Sequence, residues 1–227
     1  MTKGAPDDSA PAPVPPPAPE SAKERAYRTI RTGIMTGRFP AGSFIEEAQV
    51  CALAQVSRTP VREALNRLSA EGVIEQLPRR GAMVRHVTAR ELAELYEVRK
   101  LIEGQALALL CAARQGAPAR MHVLAQEMGE VPDTEVLRHV ELNRDFHHAM
   151  VEAAGNAVMT RIYADLHLSV LRVALSALSL DRERSGTIQA EHRAILDALD
   201  AHDAETGRAI LEKHLAPIPQ LVARLPH

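Results

Sequence analysis

Three histidines in the second half of the chain have the spacing of inward-facing helix positions. His147 continues an apolar stripe, His192 shares a helix face with isoleucines and leucines, and His214 comes one turn after an Ile-Leu pair. The apolar residues that define these faces are Val136, Val140, Met150 and Val151 for the first histidine, Ile188, Ile195, Leu196 and Leu199 for the second, and Ile210 and Leu211 for the third. Residues at this spacing lie on one side of an α-helix, so each imidazole is predicted to point into a helical core.

The three histidines suggest a site that binds a metal ion. Asn143 lies one turn before His147, and His192 and His214 are equally far from Asp203, where two helices are predicted to turn back. Two imidazoles at the same height of an antiparallel helix pair should face each other. Three imidazoles with one oxygen donor suit Zn²⁺, Ni²⁺ or a similar divalent ion and leave positions open for another ligand. A lone inward histidine is usually a core residue, but three of them with Asn143 favour a metal site.

The same residues leave two other functions open. A metal-dependent hydrolase is disfavoured, because no inward Asp or Glu is evident near the histidines as a general base. A metal-sensing repressor, in which the ion itself is the effector, would be favoured by closed coordination, whereas an open site would favour an organic ligand. Four other histidines of this half are expected at the surface: His122, His139, His148 and His202.

The N-terminal third has the pattern of a winged helix-turn-helix. An amphipathic helix from about Ser21 to Met35 precedes a short helix over 46–54, and Ser57 is placed to cap a third helix, with Pro60 in its first turn. Two extended runs, 73–77 and 82–87, follow as a hairpin with a basic tip. The third helix would enter the major groove and the hairpin would lie beside it. The predicted DNA-binding residues are Ser57, Arg58, Thr59, Arg62, Arg79, Arg80 and Gly81.

The rest of the chain is predicted to be helical. Expected helices cover about 89–114, 118–130, 134–153, 157–180, 185–201 and 204–216, which suggests one α-helical bundle. The predicted organisation is therefore a disordered Pro/Ala-rich tail (1–21), a winged helix-turn-helix (22–87) and a helical domain for effector binding and dimerisation (88–227). Residues 22–86 carry eleven Lys/Arg against six Asp/Glu, whereas residues 87–227 carry fifteen against twenty. A basic module before an acidic one fits a first domain that meets phosphates.

Composition excludes several other classes of protein. The two cysteines are far apart and outside any CxxC spacing, which argues against a disulfide scaffold or a cysteine-based zinc site. No apolar run is long enough to span a membrane, and the N-terminus lacks the apolar core of a signal peptide. We expect a soluble cytoplasmic protein that is not an enzyme.

The run from Val56 to Leu65 (VSRTPVREAL) resembles the recognition-helix signature of GntR-type regulators, with Glu71-Gly72 and Arg80-Gly81 following at that family's spacing. Residues 92–103 (LAELYEVRKLIE), Phe146-His147 and 154–156 are similar to the FCD ligand-binding domain of the FadR-like subfamily. The resemblance implies a homodimer on a palindromic operator and a small effector, often a carboxylic acid. Many members also bind a metal through an Asp or Asn and three His.

Two departures from the family pattern limit what can be carried over. Gln55 stands where the family often has glycine, which suggests a slightly different turn, and Ala48 stands where an arginine commonly contacts DNA. The operator preference of relatives is therefore not expected to apply to this chain.

The sequence predicts a carboxylate effector at the metal. Asn143 and three neutral imidazoles add no negative charge to a divalent ion, so an anion in the open positions would relieve an uncompensated buried charge. Arg99 should lie on the inward side of the first C-terminal helix and could bind a second anionic group of the same ligand. A structural salt bridge is an equally good interpretation of Arg99.

Overall fold

The computed structural model describes residues 20–166, 169–173, 184–216, 222–223 and 225. Within them the chain is mainly α-helical, with one small antiparallel sheet near the N-terminus. The predicted fold class is therefore confirmed. Most of the tail predicted to be disordered, 1–21, lies outside the described residues.

The N-terminal module, residues 22–84, is a winged helix-turn-helix. Its elements are α1 (Ala22–Met35), β1 (Phe44–Ile45), α2 (Glu47–Ala54), α3 (Arg58–Ala70), β2 (Ile74–Leu77) and β3 (Gly81–Val84). The sheet order is β1-β3-β2, with Ile45 opposite Ala82 and Gln76 opposite Ala82 on the other side. Strand β1 was not predicted, because two residues are too few to show a period of two.

The turn between α2 and α3 positions the start of α3. Gln55 ends α2 in the left-handed region at φ 53°, a conformation in which glycine is preferred. Ser57 is the N-cap residue of α3 with extended backbone, although its side chain makes no capping hydrogen bond. Pro60 lies in the first turn, as predicted, where its missing N–H leaves no helical hydrogen bond unmade.

The C-terminal region is all helical where it is described. It comprises α4 (Ala89–Ala112), α5 (Ala119–Glu130), α6 (Val136–Ala153), α7 (Ala157–Asp165), the helical residues 169–173 (α8), α9 (Arg184–Asp200) and α10 (Ala204–His214). The prediction of one continuous helix over 157–180 is wrong, because α7 ends at Asp165. The part of that prediction from 174 to 180 lies outside the described residues.

Helix α4 is the central element of this region. It begins with a capping box, in which the Thr88 hydroxyl accepts from the Glu91 backbone N–H and the Glu91 carboxylate accepts from the Thr88 N–H. Helices α6, α9 and α10 all contact α4. The approach of α10 is close at Gly207, where a Cβ would lie 2.7 Å from a methyl of buried Leu107. Among the described helices, none is long and apolar enough to cross a membrane.

Candidate functional site

Helices α6, α9 and α10 bring the three predicted histidines together. His147 and His192 are fully buried, and His214 is 8 % exposed. Their Nε2 atoms converge, with 3.0 Å between His147 and His214 and 3.3 Å between His147 and His192. The antiparallel turn at Asp203, which caps α10, places His192 and His214 at one height as predicted, with ring centroids 4.9 Å apart.

These separations match those of nitrogens that share one ion. Two imidazole nitrogens bound at 2.0–2.1 Å lie about 2.9 to 3.4 Å apart for angles between octahedral and tetrahedral values. Among the described Asp, Glu, Cys and His residues, these three histidines form the group whose donor atoms converge closely enough for a metal ion. The donor set fits a first-row divalent ion.

Two carboxylates that the sequence did not predict lie next to the Nδ1 atoms of two of these imidazoles. Glu103 Oε2 lies 2.7 Å from His147 Nδ1, although the contact is not aligned as a hydrogen bond, and Glu191 Oε2 lies 2.9 Å from His214 Nδ1. The expectation that no inward carboxylate lies near the histidines is therefore wrong. Glu103 is four residues after Arg99 on α4, and Glu191 directly precedes His192 on α9.

The carboxylates constrain the tautomers of two histidines. A carboxylate beside Nδ1 favours the proton on that nitrogen, as in carboxylate–histidine–metal arrangements, and leaves a lone pair on Nε2. The Nε2 atoms of His147 and His214 then direct lone pairs towards each other at 3.0 Å. Such a pair cannot hydrogen-bond without an added proton, but a cation between the nitrogens would satisfy both.

Burial keeps the imidazoles of His147 and His192 in the neutral form that binds metals. Desolvation lowers the pKa of His147 to about 4, against the opposing effect of Glu103. Desolvation, with the neighbouring His214 and His147, lowers the pKa of His192 well below its usual range. Neutral imidazoles have the free lone pair that a metal requires. His192 Nδ1 is buried and has no hydrogen-bond partner among the described residues.

Arg99 is on the inward face of α4, as predicted, and forms a buried ion pair. Its Nε lies 2.7 Å from Glu103 Oε1, and both side chains are nearly inaccessible. Tyr163 from α7 donates to the same carboxylate oxygen at 2.7 Å. Burial opposes ionisation of Glu103, but Arg99 and His147 hold the pKa of this carboxyl below its usual range. Arg99 Nη2 is buried without a hydrogen-bond partner among the described residues, so one donor of the guanidinium is unused.

Two further residues of α6, Asn143 and His139, differ in their exposure. Asn143 lies one turn before His147 on α6 and is partly exposed. His139, expected at the surface, is buried, because α6 is covered both by α5 and by the core of the N-terminal module.

A cavity of about 280 Å³ between α5 and α9 is lined in part by His192 and Arg193. This volume is near the lower end for sites that hold small organic ligands.

The predicted DNA-binding residues form two exposed groups on the N-terminal module. Ser57, Arg58, Thr59 and Arg62 occupy the start of α3, and Arg79, Arg80 and Gly81 form the hairpin tip.

Two of these arginines already have partners within the module. Arg62 Nε bonds to Glu47 Oε1 of α2 at 2.9 Å, which holds its guanidinium beside the leading end of α3. The Arg80 guanidinium lies 5.1 Å from the centre of the Phe44 ring. At the tip, Arg79 and Gly81 both have positive φ, 65° and 97°.

The chain is similar to known families and proteins along most of its length. Residues 22–84 match the model of bacterial regulatory proteins of the gntR family, and residues 94–217 match the FCD domain. The probable D-xylose utilization operon transcriptional repressor of Paenarthrobacter nicotinovorans is 31 % identical over 81 % of this chain and 80 % of its own. A GntR protein structure from Rhodococcus sp. RHA1 aligns at TM-score 0.71 and 23 % identity, covering 85 % of this chain and 93 % of its own. E. coli McbR/YncC aligns at TM-score 0.69 and 20 % identity, covering 86 % and 94 %. These two structures support the fold alone.

Proposed function

The chain belongs to the gntR family of bacterial regulatory proteins and carries an FCD domain, and from this premise we propose that a metal-containing effector site in its C-terminal domain controls its binding to DNA. It is a transcriptional regulator rather than an enzyme, as are its named relatives. The observation that carries the proposal is the convergence of three buried imidazoles with carboxylates behind two of them.

The DNA-binding part of the proposal assigns base or phosphate contacts to the start of α3 and the hairpin tip. Arg58 and Arg62 lie four residues apart and exposed, so they project from one face of the helix that would enter the major groove. An arginine fork can read guanine or bind a phosphate. Arg79 and Arg80 at the hairpin tip would contact the DNA phosphates beside that groove.

A duplex selected by the wild-type protein from random DNA provides the probe for this part. Arg62→Ala should weaken binding to that duplex about tenfold or more if the contact is to a base, and should weaken all sequences equally, with a shallower salt dependence, if it is to a phosphate. Arg161→Ala, an exposed arginine on α7, is the matched control. Full affinity in an Arg58→Ala/Arg62→Ala double variant would overturn the assignment.

The metal part of the proposal assigns His147, His192 and His214 as ligands, with Asn143 as the oxygen donor. When bound, a divalent ion would supply positive charge and open coordination positions in the core of the domain. Glu103 and Glu191 would orient two of the imidazoles and make them better donors. Zn²⁺ and Ni²⁺ both suit this donor set.

The effector part of the proposal is a small carboxylate. Arg99 offsets the charge of Glu103, and Lys213 lies 3.7 Å from Glu191, so each of these two carboxylates already has a cationic neighbour. A divalent ion would therefore still bring uncompensated positive charge into a dry site, which an anion would relieve. The unused Nη2 of Arg99 offers a further donor to such an anion.

Titration calorimetry tests the metal and the effector together. Zn²⁺ should bind the wild-type protein, and His192→Ala should abolish binding, whereas His122→Ala, a half-exposed histidine, should not change it. Acetate is the probe for the anion and should bind only the zinc-loaded protein. Asn143→Asp should tighten zinc and weaken acetate, because it adds a negative charge at the ion. Equal acetate affinity with and without zinc would place the effector elsewhere.

A metal-sensing regulator is the second candidate function, and the full burial of His147 and His192 favours it. In that case Zn²⁺ alone changes the affinity for the selected duplex, and acetate adds nothing. In the effector-controlled regulator, zinc alone has little effect and acetate changes the affinity of the zinc-loaded form.

The partner proposed for the C-terminal domain is a second copy of the chain. Two-fold symmetric regulators bind two half-sites, which gives the affinity that one module lacks. The outer face of α4 carries exposed Val98, Leu101 and Leu109, of which Leu101 is 73 % exposed. An open groove beside this face is lined by residues of both charges: Glu97, Lys100, Arg208 and Glu212. A second copy could therefore form ion pairs across the interface.

Sedimentation at micromolar concentration tests the dimer. Leu101→Glu should give a monomer, while Val123→Glu, at an exposed apolar position on α5, should leave the dimer intact. A wild-type monomer that binds a single half-site tightly would contradict this part of the proposal.

A further inference from the structure

Arg172 joins the C-terminal domain to the N-terminal module. It lies in α8 and is 8 % exposed. Its Nη2 donates to the backbone carbonyl of Arg85 at 2.6 Å, and its Nη1 makes a longer bond of 3.4 Å to the carbonyl of Gly72. The buried guanidinium therefore donates to two main-chain carbonyls, one just after α3 and one just after β3. Burial lowers the pKa of Arg172, so these bonds are made by a desolvated cation.

The two acceptors closely follow the two elements whose other ends carry the proposed DNA contacts. Gly72 follows the C-terminal end of α3, where helix carbonyls carry partial negative charge, and Arg85 follows β3 of the wing. Arg85 Nη1 also donates to the Gly72 carbonyl at 2.9 Å, and its Nη2 pairs with Glu91 of α4 at 3.1 Å. Gly72 has φ +70°, and a Cβ there would lie 3.2 Å from Arg85 Nη1. A glycine at this position permits both the backbone conformation and the approach of Arg85.

Apolar contacts support the same junction. Val140 of α6 and Leu171 of α8 are fully buried in the cluster that contains Ile30 and Leu68 of the module. Helix α6 therefore contributes to the core of the module at Val140 and to the histidine cluster at His147, about 10 Å apart along one rigid helix. In α8, Val170 and Val173 pack against Leu92 and Tyr96 of α4, the helix that carries Arg99 and Glu103.

We propose that Arg172 is a positioning residue that locks the DNA-binding module onto the C-terminal domain in one orientation. The lock fixes the end of the recognition helix and the end of the wing together, through one cation that binds both carbonyls. Helices α6 and α8 then transmit a change at the histidine cluster to the orientation of α3. This transmission rests on the proposed function, whereas the lock itself does not.

Hydrogen exchange of the full-length protein tests the lock without DNA or ligand. Arg172→Gln removes the charge and the fork, and should speed exchange of the amides of residues 85–92 at least tenfold, because this segment is then no longer held by the bond from Arg172 to the Arg85 carbonyl. Exchange in α5 should not change. Arg161→Gln on α7 is the control and should leave both regions unchanged.

Arg172→Lys keeps the charge but can reach only one carbonyl well, so it should give an intermediate rate. It also keeps the test decisive if the glutamine variant fails to fold. Wild-type exchange at 85–92 in either folded variant would overturn the lock.

The transmission is tested by the zinc and acetate dependence of binding to the selected duplex. The wild-type protein should change its affinity when zinc and acetate are added, and Arg172→Gln should lose at least three quarters of that change on the logarithmic scale while still binding zinc. Full coupling in Arg172→Gln would overturn the transmission. If neither zinc nor acetate affects the wild-type protein, the proposed function and the transmission both fail, and the exchange experiment still decides the lock.

Discussion

Helix α4 carries two Arg–Glu pairs of the same spacing and ion-pair length, one buried and one exposed. Arg99–Glu103 and Arg90–Glu94 have the same i,i+4 spacing and the same 2.7 Å separation between Nε and Oε1. The first pair is 5 % and 0 % exposed, and the second is 84 % and 56 % exposed. Glu103→Gln should lower the free energy of unfolding of the metal-free protein by about 3–5 kcal/mol, because it leaves the Arg99 cation buried and unpaired.

The same substitution should weaken the proposed metal site. Glu103 Oε2 is 2.7 Å from His147 Nδ1, and loss of such an outer carboxylate typically lowers metal affinity about 10- to 100-fold. That range corresponds to about 1.4–2.7 kcal/mol. At a zinc concentration one hundred times the wild-type Kd, zinc stabilises the wild-type protein by about 2.7 kcal/mol. Under the same conditions the variant should gain at most about 1.4 kcal/mol, the value at ten times its own Kd.

Urea unfolding with zinc and with a chelator separates these two effects. Glu94→Gln is the matched control and should change neither the stability nor the zinc affinity measurably. The double variant Arg99→Met/Glu103→Gln removes the unpaired charge and should recover most of the stability but not the zinc affinity. Wild-type zinc affinity in Glu103→Gln would refute the role of this carboxylate. A stability loss as small as that of Glu94→Gln would refute the argument from burial.

Two further predictions concern the N-terminal module and α9. In thermal unfolding, Gly33→Ala should destabilise the protein by about 1–3 kcal/mol despite the higher helix propensity of alanine, because the new Cβ would overlap the buried Phe39 ring. Gly186→Ala has open space around it and should stabilise the protein by about 0.5–1 kcal/mol. Burial and the hydrogen bond to Glu71 raise the pKa of Tyr27 to about 12, so the stability that depends on its neutral phenol is present below pH 10 and lost as the pH rises from 10 to 12. Tyr27→Phe should be less sensitive to this pH range in urea unfolding, and equal sensitivity would contradict the assignment.

The N-terminal module was predictable because its signals are local. Ser57 before Pro60 marks the start of α3, and the glycine-bounded basic tip marks the wing. Strand β1 was missed, because it pairs with β3 through a long-range contact and its two residues are too few to show a strand pattern. The end of α7 at Asp165 was missed because no glycine or proline marks it.

The histidine cluster was predictable only in part. Periodicity placed His147, His192 and His214 on inward faces, and the symmetry about Asp203 placed two of them in one layer. Which acidic residues lie behind them depends on how α4 and α9 are rotated against α6 and α10, and a single helix pattern does not contain that rotation. Glu103 and Glu191 were therefore missed.

The arrangement of α4 shows how fold and site constrain each other. A buried ion pair adds little net stability, because desolvation of both charges offsets their attraction, and apolar residues of similar size often serve at least as well. Arg99 and Glu103 nevertheless occupy the centre of the domain, where the helix face is otherwise apolar. Their position is explained if Glu103 is needed to orient His147 and Arg99 is needed to keep Glu103 ionised in a dry core. Stability alone does not account for the pair, whereas the proposed ligand site does.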